Sequence, residues 1–181
     1  MRNFILLFFA FIFTINAFAQ KIPTPEFTGR PYALESNTLS ELERVDAQHE
    51  QKHKMMGYAG VEIYYTAFTP SSTAQFSKTK LPKFVISVEK GVDPADAFTL
   101  IKGKVKKGKR SFLISTMQGT FTKAKSTNEV QVTVTYKKIK DNLYKIILPD
   151  NIETGEYAFV PNGTDEMSAG NKMKITCFGI Q

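Results

Sequence analysis

From Gly57 onward the apolar residues of this chain fall mostly at every second position. Val61, Ile63 and Tyr65 alternate with Glu62, Tyr64 and Thr66, and Phe84, Ile86 and Val88 alternate with Val85, Ser87 and Glu89. A period of two is the repeat of a strand with one buried face, so both segments are predicted strands. Phe98 to Val105 and Arg110 to Met117 form a further pair, joined by Lys106-Lys107-Gly108-Lys109, where Gly108 supplies the positive φ of a tight hairpin. Val130, Val132, Val134 and Tyr136 continue the alternation through a turn at Asp141-Asn142 into Leu143 to Leu148, and Tyr157 to Val160 and Lys172 to Ile180 complete the set. Thr69 to Thr79 and Asn162 to Asn171 read as loops.

The earlier part of the chain reads differently. Pro23, Pro25 and Pro31 make residues 20–31 an extended lead-in that cannot be helical, acting as a tether or an edge segment. In Thr38 to His53, Leu39, Leu42 and Val45 recur at threes, and Glu41 and Glu43 follow Thr38 and Ser40 by three. Either pair forms a capping box, which predicts one short N-terminal helix. The rival reading is a hairpin, with Tyr32 to Leu34 and Thr38 to Val45 paired across Ser36-Asn37.

About eight short strands, separated by Gly, Pro, Asn and Asp, with at most one helix, predict a mainly β fold and specifically an antiparallel sandwich or barrel. Ile152-Glu153-Thr154-Gly155-Glu156-Tyr157 tilts the choice toward an immunoglobulin-like sandwich. In that fold a Gly turn delivers a Tyr to the start of the penultimate strand, and its hydroxyl bonds back to the preceding backbone. Gly155 and Tyr157 are therefore candidate structural residues, and residues 32–181 are expected to form one domain.

The chain opens as a cleavable export signal does. Arg2 is followed by an apolar run from Phe4 to Phe13, and Ala17-Phe18-Ala19 offers a cleavage site before Gln20. The run is shorter than the roughly 20 apolar residues a membrane helix needs. No Cys lies near the cleavage site to take a lipid, so the protein is expected in the periplasm or outside the cell without a lipid anchor and without a transmembrane segment. Removing the first 19 of 181 residues leaves 162, enough for a single stable core. Cys177 is the only cysteine, so no intrachain disulfide contributes, and its place between Ile175 and Gly179 marks it as a buried strand residue.

Arg30-Pro31-Tyr32, Leu42-Glu43, Gly57-Tyr58-Ala59-Gly60, Lys107-Gly108-Lys109-Arg110, Gly155-Glu156-Tyr157-Ala158-Phe159 and Cys177-Phe178-Gly179-Ile180 occur in that order. The set resembles the small exported β-rich proteins of Bacteroidota that end in Cys-Phe-Gly-Ile. The resemblance implies an envelope or periplasmic address and assigns no catalytic residue.

Two clusters carry candidate chemistry. His49-Glu50-Gln51-Lys52-His53 matches the zinc-protease pattern, in which His49 and His53 on one helix face share a metal and Glu50 takes a proton from its bound water. Lys52 and Lys54 oppose a dication there, and a third ligand has to come from a carboxylate such as Glu89 or Asp93, which sit beside the Gly91 to Pro94 turn rather than on a second helix. The motif is accordingly the alternative reading, and no cofactor is expected. Lys102, Lys104, Lys106, Lys107, Lys109 and Arg110 are a candidate anion-binding patch. The plain alternative is a charged edge that discourages strand pairing between molecules. Without Arg2, 23 basic side chains face 17 acidic ones. That balance suits an anionic envelope component or another envelope protein as partner. Nucleic acid is not expected, because the patch lacks interleaved aromatics to stack bases. The reading that results is a non-enzymatic binding or structural protein, with a small zinc protease as its alternative.

Overall fold

A computed structural model describes residues 22–54, 58, 60–117, 130–163, 167–168 and 171–181. The expected export signal, residues 1–19, lies outside them. The fold is mainly β, with antiparallel sheets and little helix. Its strands are β1 (Pro31–Glu35), β2 (Thr38–Glu41), β3 (Glu43–His53), β4 (Val61–Ala67), β5 (Gln75–Phe76), β6 (Lys83–Ser87), β7 (Phe98–Lys102) and β8 (Lys104–Lys106). After them come β9 (Lys109–Met117), β10 (Gln131–Val132), β11 (Thr135–Lys140), β12 (Leu143–Ile147), β13 (Gly155–Pro161), β14 (Met167–Ser168) and β15 (Lys172–Ile180). One α-helical turn, α1 (Pro94–Ala97), starts where Asp93 accepts a hydrogen bond from the Ala95 amide.

The smaller sheet has the order β11-β12-β6-β1-β2, and the larger runs β10-β7-β13-β15-β3-β4-β9-β8. The larger sheet curls into a half-barrel, and the sequence shows how. β7 pairs with β13 near one flank, then a single residue, Gly103, carries the chain into β8, which pairs with β9 on the other flank. Gly103 donates its amide to the Glu156 carbonyl at 2.7 Å. A Cβ there would lie 2.5 Å from the Phe112 ring, so only glycine lets the backbone cross so closely. Phe98 to Val105 is thus not one strand paired with Arg110 to Met117; only Lys104 and Val105, continued by Lys106, make that hairpin. Its turn has the left-handed backbone anticipated for Gly108, φ 74°, which extends to Lys107, φ 52°.

Alternation along each strand of the half-barrel sends side chains into two cores. On the concave side, Tyr65, Ile101, Phe112, Val160, Met173 and Cys177 pack together. On the convex side, Phe98, Leu100, Tyr157, Phe159 and Phe178 meet Phe84, Ile86 and Ile146 of the smaller sheet. Because β13 is covered on both faces, five consecutive residues from Glu156 to Val160 are buried. Tyr157 stacks on Phe178 with ring centroids 5.4 Å apart, and Phe84 lies 4.8 Å from Phe178. Such ring pairs add about 0.5–1.5 kcal/mol each beyond area burial.

The helix expected over Thr38 to His53 is absent: the segment is β2 and β3, and the hairpin reading of the β1-β2 pair is the one realised. Ser36 (φ 45°) and Asn37 (φ 67°) form its two-residue turn. The spacing of three misled because the chain bends at Leu42 as it leaves one sheet for the other. Leu39 packs on the outer face of the smaller sheet, Leu42 between the sheets, and Val45 against the concave core. The lead-in is no free tether either. Ile22 packs beside Tyr32, Leu34 and Val85, Pro25 is buried, and the Gly29 amide donates to the Ser87 carbonyl at 2.7 Å.

Candidate functional site

The antiparallel strands of the half-barrel lie along one axis, which gives it two unlike ends. One end is sealed by charge. Arg110 is fully buried, and its guanidinium donates to Glu43 Oε2 at 2.8 Å, Glu156 Oε2 at 3.3 Å, Thr69 Oγ1 at 2.6 Å and the Thr69 carbonyl at 3.2 Å. Glu156 in turn accepts from the Ser72 amide at 2.8 Å and from Gln75 Nε2 at 2.9 Å. Burial pushes the Arg110 pKa down, while the hydrogen bond to Glu43 and the surrounding charges push it up, and the balance lies above the ordinary value. This network pins residues 69–75 across the end of the sheet, where β5 runs parallel to the end of β15. Gly179 leaves room for the Gln75 side chain, which a Cβ would meet at 2.1 Å.

The other end is open and apolar. A cavity of about 220 Å³ there is lined by Tyr65, Ile101, Ile114, Val160 and Met173, with Thr99, Gln131 and Asn162 among its polar neighbours. β4, β7, β9, β13 and β15 each contribute inward side chains by strand alternation. Thr99 donates to Asn162 Oδ1 at 2.7 Å, and the Asn162 side-chain amide donates to the Asp96 carbonyl at 3.3 Å, so the rim is held by its own bonds. Burial raises the Tyr65 pKa, which keeps the phenol neutral at ordinary pH. Tyr65, Thr99, Gln131 and Asn162 are all uncharged hydrogen-bonding groups, chemistry suited to orienting a ligand.

The zinc motif falls on β3. Its two His, four residues apart, are separated along a strand by roughly 13 Å, whereas ligands of one zinc hold their nitrogens about 2 Å from it. The helical geometry that the motif requires is therefore not formed. His49 lies edge-on to Tyr65 at 5.9 Å and has Asn171 Nδ2 at 3.4 Å from Nδ1. Glu50, on the opposite face of β3, accepts from Thr66 Oγ1 at 2.9 Å. Lys52 sits 4.2 Å over the Tyr64 ring and Lys54 pairs with Glu62. Glu89 is exposed and Asp93 caps α1. Among the described residues no group of three His, Cys, Asp or Glu is placed to hold a metal, and no helix is long and apolar enough to cross a membrane.

The six-cation patch divides. Lys104, Lys106, Lys107 and Lys109 are exposed around the β8-β9 hairpin, and Lys102 pairs with Glu153. Arg110 does not belong to the surface, because alternation after the Gly108 turn puts it on the side of Phe112 and Ile114. That parity was readable in the sequence; the Glu43 and Glu156 partners, 67 and 46 residues away, were not. Tyr157 donates its hydroxyl to the Glu153 carbonyl at 2.6 Å, the contact of a tyrosine corner, and Gly155 before it takes φ 143°. Cys177 is buried in β15, and burial pushes its thiol up to about 12. It is therefore not a thiolate at neutral pH. In comparisons with known proteins, no family model, no curated protein and no solved structure matches this chain.

Proposed function

We propose that this is an exported, non-enzymatic binding protein of the cell envelope or periplasm whose ligand enters the open end of the half-barrel. The observation that carries the reading is the apolar cavity of about 220 Å³ at that end, walled by five strands and rimmed by uncharged polar groups. The mouth of a curled sheet is a recurrent place for small-molecule sites. A volume of this size accepts one ring or a short acyl chain, since an apolar cavity of about 150 Å³ already holds benzene. The export pattern at the N-terminus and the resemblance to small exported Bacteroidota proteins support the address. We further read the two sheets as an immunoglobulin-like sandwich in which one sheet has curled, a reading supported by the shared aromatic core and the Tyr157 corner bond.

Titration of the mature chain with toluene and with 1-octanol, followed by thermal unfolding, tests the site. Saturable stabilisation is expected, growing with the logarithm of ligand concentration, and Ile114→Trp, which fills the cavity from a half-buried position, should abolish it. No saturable shift with either probe refutes the pocket. Terminal sequencing of the exported product tests the address: the chain should begin at Gln20, and a chain beginning at Met1 refutes export.

A further inference from the structure

At the sealed end, opposite the cavity, the β8-β9 hairpin and the neighbouring Phe68 form a tip of unusual composition. Lys104, Lys106, Lys107 and Lys109 are all exposed there. Phe68 is 54% exposed and Val105 49% exposed, with Lys109 Nζ 4.3 Å above the Phe68 ring. No acidic residue occurs in residues 67–74 or 102–109. Glu43 and Glu156, at the base of the tip, are turned inward to Arg110, which offsets one of their two charges, and Glu153 is paired with Lys102, so the four exposed lysines outnumber the negative charge that remains beside them. Lysines on a strand at the end of the sheet order are explained by protection against edge pairing. That explanation gives no reason for a large aromatic and a valine to be exposed among them.

We propose that this tip docks the protein on an anionic phospholipid bilayer. The lysines meet the headgroup phosphates, and Phe68 and Val105 enter the interface, where an aromatic ring is favoured beside long cationic side chains. Neither charge nor a short apolar contact alone holds a protein stably on a membrane, and the tip supplies both. Arg110 holds the base of the tip, because its four hydrogen bonds tie the start of β9 to Thr69, Glu43 and Glu156, next to Phe68. Docked this way, the half-barrel turns its open end away from the bilayer.

Sedimentation of the mature chain with vesicles decides the matter. Vesicles of phosphatidylcholine mixed with phosphatidylglycerol should carry the protein down, in a salt-sensitive manner, and vesicles of phosphatidylcholine alone should not. Each of Lys104→Ala, Lys106→Ala and Lys107→Ala should weaken partitioning about fivefold. Phe68→Ser should weaken it without changing the salt dependence. Lys137→Ala and Lys145→Ala, cations of the smaller sheet, should leave it unchanged, and circular dichroism should show every variant folded. Equal binding to both vesicle types, equal loss in the Lys137 and Lys145 variants, or full competition by a soluble polyanion with no effect of Phe68→Ser would each overturn the proposal.

Discussion

The two ends of the half-barrel are made by the same strands and solve opposite problems. At the sealed end, polar groups have left water and every strong one is answered: Arg110 by two carboxylates and Thr69, Glu156 by an amide and Gln75 besides. A buried network satisfied in this way has nothing to offer a ligand, and its worth is in specifying which loop closes the sheet. At the open end apolar side chains such as Ile114 are only half covered, and the rim amides and hydroxyls are uncharged. Incomplete coverage of apolar surface is what leaves binding energy to be gained. The difference teaches that perturbed charge, usually a guide to function, here marks architecture, while the candidate site is the less polar end.

Removing the Arg110 guanidinium is the largest expected blow to that contrast. Arg110→Met should lower stability by about 3–5 kcal/mol, because it leaves Glu43 and Glu156 as two carboxylates facing each other without a cation. A denaturant midpoint at pH 7 checks this, and a loss under about 1 kcal/mol would make the sealed end no more structural than the surface.

The next expected effect concerns Tyr157, on the convex face near the sealed end. Tyr157→Phe should cost about 1 kcal/mol at pH 7 by leaving the Glu153 carbonyl without its donor. Burial first, and the Glu153 carboxylate second, raise the Tyr157 pKa to about 12, and burial raises Cys177 to about 12. Groups whose folded pKa lies above the unfolded value favour folding at lower pH and lose that contribution as pH climbs through the shifted range. Stability of the wild-type chain should therefore fall steeply between about pH 9 and 12, from the ordinary thiol and phenol values upward. The fall should be shallower in Tyr157→Phe above about pH 10, read from unfolding midpoints across that range. An identical slope would mean that the hydroxyl is not held neutral by the fold.

Much of this was legible in the sequence as apolar residues at every second position, or as short apolar runs bounded by polar loops. The alternations from Val61 to Thr66 and from Lys172 to Ile180 became β4 and β15, and the Gly-Glu-Tyr string gave the hydroxyl contact. What was not legible is where the chain changes its pairing partner. At Leu42 and at Gly103 the chain leaves one pairing for another within a residue, so neighbouring apolar positions belong to different cores and mimic a helical spacing or a single long strand. The zinc-like His49-Glu50-Gln51-Lys52-His53 string shows the same limit, because its meaning depends on a period of 3.6 that β3 does not have. The cavity has no signature in the sequence, because its lining is scattered over five strands as ordinary apolar residues. No local pattern distinguishes Ile114 at a half-covered mouth from Ile175 in the closed core.

The smallest expected effect is at the mouth, and it is the sharpest test of the contrast between the ends. Thr99→Val removes the hydroxyl that donates to Asn162 Oδ1 at 2.7 Å while keeping the shape of the side chain. The Asn162 loop retains its other ties: the backbone amide to the Ala97 carbonyl and the side-chain amide to the Asp96 carbonyl, both at 3.3 Å. An exposed bond replaced in this way should change stability by no more than about 0.5 kcal/mol, since water can take the place of the hydroxyl on the freed Asn162 oxygen. The same substitution makes the rim of the cavity more apolar, so affinity for toluene should rise or hold while any ligand that needs a hydroxyl at the rim should weaken. Paired measurements of unfolding midpoint and probe binding separate the two effects. A stability loss above about 1 kcal/mol would show that the rim is built as tightly as the Arg110 end, and the asymmetry on which the proposed binding site rests would be lost.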